Sequence, residues 1–245
     1  MSKPFMWIAG TCVVVAVTVS GFWFYTRWGY ALSPLPPGVH IAAELPESFT
    51  FFDVGANTRF SRSVRSDLNN RLGSDAISYR GQIDLSNDTP DFLQKYFPEI
   101  QELNLQLNYP PRERIEHNCI KLTYRYAQKV GVPFKYVEIS FSGYSGRPLY
   151  CNVVVSSDGS DIIAALNQKY GIPHDLPVSA GQEAARFWKK HDDVLLVSTQ
   201  KDHYGKPEYH IMIYYVNSIQ ELLNIEHTDA RQHQDRIRQA ANRAF

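Results

Sequence analysis

Phe5 to Tyr25 is a run of 21 residues without a charged side chain, built around Val13, Val14, Val15, Val17 and Val19. At 1.5 Å rise per residue, a helix of that length covers about 31 Å, which matches the roughly 30 Å hydrocarbon core of a bilayer. Trp7 lies near one end and Trp23, Tyr25, Trp28 and Tyr30 near the other, where amphipathic rings favour the two membrane interfaces. The pattern predicts a short tail over 1–4 and one N-terminal transmembrane helix over 5–26. A cleaved signal peptide would have an apolar core of about 7 to 15 residues ending in small side chains. Here the run ends in Gly21-Phe22-Trp23-Phe24-Tyr25, a poor cleavage site, and Thr11 before Cys12 spoils a lipoprotein site.

Lys3 and the α-amino group precede the span, Arg27 follows it, and the next basic residue is Arg59. That charge bias is small and points to a cytoplasmic N-terminus, with the larger C-terminal domain extracytoplasmic, periplasmic or extracellular. Three prolines, Pro34, Pro36 and Pro37, fall within four positions, and polyproline II is their favoured conformation, so 27–38 reads as a short, semi-rigid stalk.

Beyond the stalk the expected fold class is α+β: a mainly antiparallel sheet with packed helices over 39–226, clearest over 119–226, followed by a polar helical tail over 227–245. Phe60, Val64, Leu68 and Leu72 recur every four residues and predict a helix, with Asn57 or Thr58 as cap and Gly73 as stop. Asn87-Asp88-Thr89-Pro90 resembles a second helix start, with Phe92, Leu93, Tyr96 and Phe97 inside and Pro98 as its end; Ala76–Tyr79 and Ile83–Leu85 are short strand candidates.

Period-two alternation then marks three strands: Ile120, Leu122, Tyr124 and Tyr126; Val137, Ile139 and Phe141; Leu149, Cys151, Val153 and Val155. Ser157-Asp158-Gly159-Ser160 opens a helix through Ile162, Ile163, Leu166 and Tyr170 that Gly171 closes. Val194–Gln200 and Tyr209–Val216 form a hairpin around Tyr204-Gly205-Lys206-Pro207. Short hairpin connections imply antiparallel neighbours.

The same meander constrains the thiols. The strand of Val137 separates those of Cys119 and Cys151 by two spacings, about 9.6 Å, beyond the roughly 7 Å that a disulfide spans between Cα atoms. Alternation puts Cys119 with Lys121 on the outer face and Cys151 with Val153 on the inner one, so both thiols are expected free.

The chemistry is sparse. With 25 basic and 25 acidic residues the net charge is zero, which argues against a nucleic-acid partner. There is no phosphate-cradling glycine loop, His-Glu-x-x-His, Cys-x-x-Cys or dinucleotide-type glycine run. Gly143-Tyr144-Ser145-Gly146 lacks the Gly-x-Ser-x-Gly spacing of a serine-hydrolase elbow and joins two strands.

His117 and Cys119 share one face of a strand, yet side chains two apart start about 6.5 to 7 Å from each other, too far for a dyad without a bend. His191-Asp192-Asp193, Asp202-His203 and His210 carry metal-ligand chemistry without a spacing that forces them together. Arg59, Arg62, Arg65 and Arg71 would give the first helix a basic face, suited to anionic lipid or simply to solvent. The tail helix, with its thin stripe of Ala230, Ile237, Ala241 and Phe245, is either solvated or docks a partner helix.

The sequence thus calls for no metal and no cofactor and names no catalytic residue. Its leading expectation is a single-pass anchored binding or accessory domain of an envelope complex. The partners would be membrane lipid through the N-terminal helix and an envelope protein. The alternatives are a membrane-tethered enzyme drawing on His117, Cys119, His203 and His210, and a ligand-sensing envelope domain.

Overall fold

The computed structural model describes residues 32–86, 91–155, 159–177, 182–201 and 203–244, with the backbone alone for Gln182 and Glu183. The expected membrane helix over 5–26, the helix start at 87–90 and the turn residues Ser157 and Asp158 lie outside the described residues. Among those described, no helix is long and apolar enough to cross a membrane. Residues 33–245 form one compact unit.

Among the described residues eight strands make one antiparallel sheet: β1 (Ala76–Gly81), β2 (His117–Tyr124), β3 (Phe134–Ser142), β4 (Pro148–Val155), β5 (His174–Leu176), β6 (Gln182–Lys190), β7 (Asp193–Lys201) and β8 (Pro207–Tyr214), in the spatial order β1-β2-β3-β4-β8-β7-β6-β5. The α+β class, the β2-β3-β4 meander and the β7–β8 hairpin stand as the alternation requires. Ile83–Leu85 is not a strand; both apolar side chains are fully buried in a loop under the helices.

Among the described residues the helices are α1 (Arg62–Leu72), α2 (Phe92–Tyr96), α3 (Pro98–Leu107), α4 (Ser160–Tyr170) and α5 (Val216–Ala244), with a 3₁₀ turn over Ala127–Val130. Ser61, rather than Asn57 or Thr58, caps α1 by accepting from Val64 N–H at 3.3 Å. Asn57 is occupied elsewhere, bonded to both backbone groups of Leu45 at 2.8 Å, and Thr58 Oγ1 accepts from Gly55 N–H. Pro98 stops α2 and also opens α3, whose missing N–H costs nothing at the first helical position.

Residues 227–244 of the expected tail are the largely exposed continuation of α5, a single helix of 29 residues, and Phe245 lies outside the described residues. Val216, Ile219, Leu222 and Leu223 bury its first turns, and Asp193 accepts from Val216 N–H at 2.9 Å where the helix begins.

Both faces of the sheet are covered. On one face Leu122, Ile139, Cys151 and Ile213 line up across β2, β3, β4 and β8. Phe60 packs on Phe141 at 5.3 Å, and the Tyr124 hydroxyl donates to Asn69 of α1 at 3.0 Å on that side. On the other face Cys119, Tyr150, Met212, Tyr214 and Leu196 join one apolar cluster with α2, α3 and the buried half of α5.

Cys119 and Cys151 are therefore both free and on opposite faces. Cys119, however, is not at a solvent-facing surface: it is 1% exposed beneath the helical layer, with its thiol directed at the Gly81 carbonyl. A second layer on that face is what single-strand alternation does not reveal.

The segment from Ser33 to Val54 is strapped onto this framework. Ser33 N–H donates to the Gly143 carbonyl at 2.8 Å, Gln232 to Pro37 O at 2.8 Å, and Tyr215 OH to Phe49 O and Val54 O at 3.2 Å each. Arg147, 1% exposed, donates to the carbonyls of Ala42 and Ala43 and pairs with Glu221 of α5 at 2.8 Å.

Candidate functional site

The sheet places the four residues of the enzyme alternative apart. His117 and Cys119 sit on β2, His210 on β8 and His203 in the β7–β8 turn, where its ring lies against Tyr204. β2 and β8 are three strand spacings apart, about 14 Å.

His117 holds the molecule together. Its Nδ1 lies 2.7 Å from Glu226 Oε2 and its Nε2 2.8 Å from the Leu107 carbonyl, while Glu226 Oε1 also accepts from Asn118 N–H at 2.9 Å. Both ring nitrogens face acceptors, which an imidazolium satisfies and a neutral ring cannot. Burial alone would lower the His117 pKa, but the hydrogen bond and charge of Glu226, with the Leu107 carbonyl, outweigh it and raise it. β2, α3 and α5 are thereby joined at one point. The Cys119 and Cys151 thiols are both pushed up by burial, which opposes the thiolate a nucleophile needs.

Asp193 is likewise structural. It is buried, accepts from Ser48 Oγ and from Val216 N–H, and burial raises its carboxyl to about 6. His191 and Asp192 are exposed beside it, and Asp202 lies outside the described residues. Among the described residues no group of three or more His, Cys, Asp or Glu is disposed to hold a metal ion.

The basic face of α1 is largely paired. Arg65 makes a two-pronged contact with Asp75 at 2.8 and 2.9 Å and Arg71 pairs with Asp53 at 2.7 Å, while Arg59, expected on this helix, lies before its Ser61 cap and donates to the Ser145 carbonyl.

Two polar regions escaped the sequence reading. The first lies on the helix-bearing face of the sheet, beyond the reach of the apolar cluster, where Lys121, Glu138, Asn152 and His210 come from β2, β3, β4 and β8. Glu138 accepts from Tyr136 OH at 2.6 Å and Tyr150 OH at 2.5 Å and pairs with Lys121 at 3.1 Å. Burial opposes ionisation of Glu138, but the two tyrosines and Lys121 prevail and hold its pKa below the usual value. His210 lies 3.3 Å from Glu208, which Lys135 also reaches. Among the described residues, the buried Asn152 Oδ1 and Gln200 Nε2 have no hydrogen-bond partner. Polar residues alternating along four strands look like a solvent-facing stripe; only the register shows that they converge.

The second region is a cleft of about 290 Å³ between the Phe49 segment, the end of α4 and the end of β6, lined in part by Lys169, Lys189 and Lys190.

No protein-family model, no curated protein and no solved structure matches the chain.

Proposed function

We propose that this chain is a membrane-tethered, extracytoplasmic binding domain, an accessory subunit of an envelope complex held to its membrane by the segment over 5–26. The observation that carries the reading is the 21-residue uncharged segment with aromatic residues at both ends, followed by a single foldable unit. Binding rather than chemistry is favoured by the state of the reactive groups. His117 has both nitrogens engaged, Cys119 and Cys151 are buried with raised pKa values, and His203 and His210 lie away from them. The 17 residues of α5 from Thr228 to Ala244 extend past its last buried position, Ile225, and offer a partner a charged helical face.

The test is the native mass of the full chain gently extracted from its own membrane, with co-migrating proteins identified. A discrete hetero-complex that dissociates when 228–245 are deleted supports the proposal. A monomer or simple homo-oligomer overturns it. Orientation is read separately: protease added outside intact cells should remove a C-terminal tag, and full protection would reverse the assigned topology.

A further inference from the structure

We propose that the cleft at the end of α4 is a binding site for an oxyanion of the phosphate monoester class carried on a small apolar group. The inference is independent of the membrane tether and of any envelope partner.

The cleft measures about 290 Å³, near the lower end of the range for small-ligand sites. Three lysines line it, Lys169 from the last turn of α4 and Lys189 and Lys190 from the end of β6, together with His174 of β5; among the described residues that line it there is no carboxylate. Lys189 is paired with Glu99 at 2.9 Å. Lys169 donates to Thr50 Oγ1 at 2.6 Å, and neither it nor Lys190 has a carboxylate partner among the described residues. Lys169 and Lys190 are thus the two cleft charges that no carboxylate offsets, Lys189 being balanced by Glu99.

The neutral polar groups in the walls are already committed. Trp188 Nε1–H donates to the Gly171 carbonyl at 2.8 Å, which fixes the indole and satisfies that carbonyl beyond the helix end. The Tyr170 hydroxyl accepts from Thr50 N–H at 2.9 Å. Burial would raise that phenol, yet the hydrogen bonds with Thr50, and after them Lys169, lower its pKa.

What remains for a ligand is therefore ammonium charge, the exposed His174 ring stacked on Phe187, and apolar surface. Lys169 and Lys190 are exposed, Ile172 stands 93% exposed at the mouth, and Phe49 and Tyr170 pack edge to face at 5.1 Å. Ammonium groups without a directional partner recognise an oxyanion as point charges, the way lysine binds phosphate. The exposed Ile172 and the half-buried Tyr170 ring, over a floor of buried Phe49 and Trp188, accept the group to which the phosphate is attached.

Phenyl phosphate is the probe, titrated calorimetrically into the full chain in neutral detergent, with inorganic phosphate and benzyl alcohol in parallel. One molecule of phenyl phosphate per chain should bind, more weakly at higher salt. Lys169→Gln combined with Lys190→Gln should weaken it at least tenfold, whereas Lys129→Gln, at a lysine outside the cleft, should not. Both cleft lysines are exposed, and an unchanged circular dichroism melt verifies the fold. Short-chain phosphatidic acid then distinguishes the sources. Displacement of phenyl phosphate at lower concentration than inorganic phosphate requires assigns the site to a lipid headgroup, and the reverse order assigns it to a soluble phosphate; either supports the site. Equal binding of benzyl alcohol, no stoichiometric binding, or indifference to the double substitution overturns the proposal.

Discussion

Replacing Glu226 by glutamine preserves its shape and removes its charge, and the contacts of His117 fix what should follow. Glu226 accepts two hydrogen bonds, from His117 Nδ1 at 2.7 Å and Asn118 N–H at 2.9 Å. A hydrogen bond to a charged group contributes about 1.5–3 kcal/mol and a neutral one about 0.5–1.5, so losing the charge costs about 1 kcal/mol per bond, or roughly 2 kcal/mol while His117 is protonated. In the native protein the His117 pKa is raised. Its stabilising contribution is therefore complete below the unfolded value of about 6.5 and is lost as pH rises through the higher native value. In Glu226→Gln the opposing charge is gone and burial dominates. His117 should then be neutral, with its proton on Nε2 toward Leu107 and Nδ1 accepting from the new amide.

The deficit of the variant should accordingly shrink from roughly 2 kcal/mol at pH 6 to about 1 kcal/mol or less at pH 9. With a urea slope of about 2 kcal/mol/M the two denaturation midpoints should approach each other by about 0.5 M across that range. Urea titrations followed by far-ultraviolet circular dichroism at half-unit pH steps would measure it. A constant difference between the two curves would falsify the view that His117 is a charged link between β2, α3 and α5.

Other outcomes follow from single contacts. Arg147→Met strands the Glu221 carboxylate, which is largely buried, and should cost about 3–5 kcal/mol, while adding Glu221→Leu should restore much of it in thermal melts. The Asp193 carboxyl, raised to about 6 from an unfolded value near 3.9, favours the fold below the lower value and loses that contribution as pH rises through about 6. Asp193→Asn should flatten the stability profile between roughly pH 4 and 6. Gly143→Ala puts a Cβ 2.8 Å from the backbone oxygen of Asn118, so the β2–β3 pairing must shift; slower folding or a lower melting temperature is expected, and an unchanged melt would show that the hairpin yields. Cys119 and Cys151 should resist a thiol reagent in the folded protein and react fully in denaturant.

The half of the fold that was readable is the half in which neighbours in sequence are neighbours in space. Leu122, Ile139 and Cys151 announce their strands by period two and pair through short connections, so the meander and the state of its thiols followed directly. β6 did not, because Arg186, Lys189 and Lys190 break its alternation and Trp188 faces the side opposite Phe187. α3 was available in the spacing of Ile100, Leu103 and Leu107 but was masked by reading Pro98 only as a stop. α5 was divided because Val216 continues the apolar run of β8, and only the Asp193 cap, 23 residues earlier, marks where the helix begins. The sites were least legible. The lysine cleft draws on residues 49 to 190 and the Glu138 array on 121 to 210, and in each the grouping exists only through strand order and register.

The strap from Ser33 to Val54 governs how the molecule bears tension. A pull on the chain at Ser33 meets its attachments in sequence: the Gly143 carbonyl, then Gln232 on Pro37, Arg147 on Ala42 and Ala43, Asn57 on Leu45, Asp193 on Ser48, Tyr170 and Lys169 on Thr50, and the Tyr215 hydroxyl on Phe49 and Val54. These yield one at a time, like a seam, and release 22 residues, about 75 Å of extended chain, before load reaches the strands. Stretching from Ser33 should therefore proceed in small steps ahead of the rupture of the eight-stranded sheet.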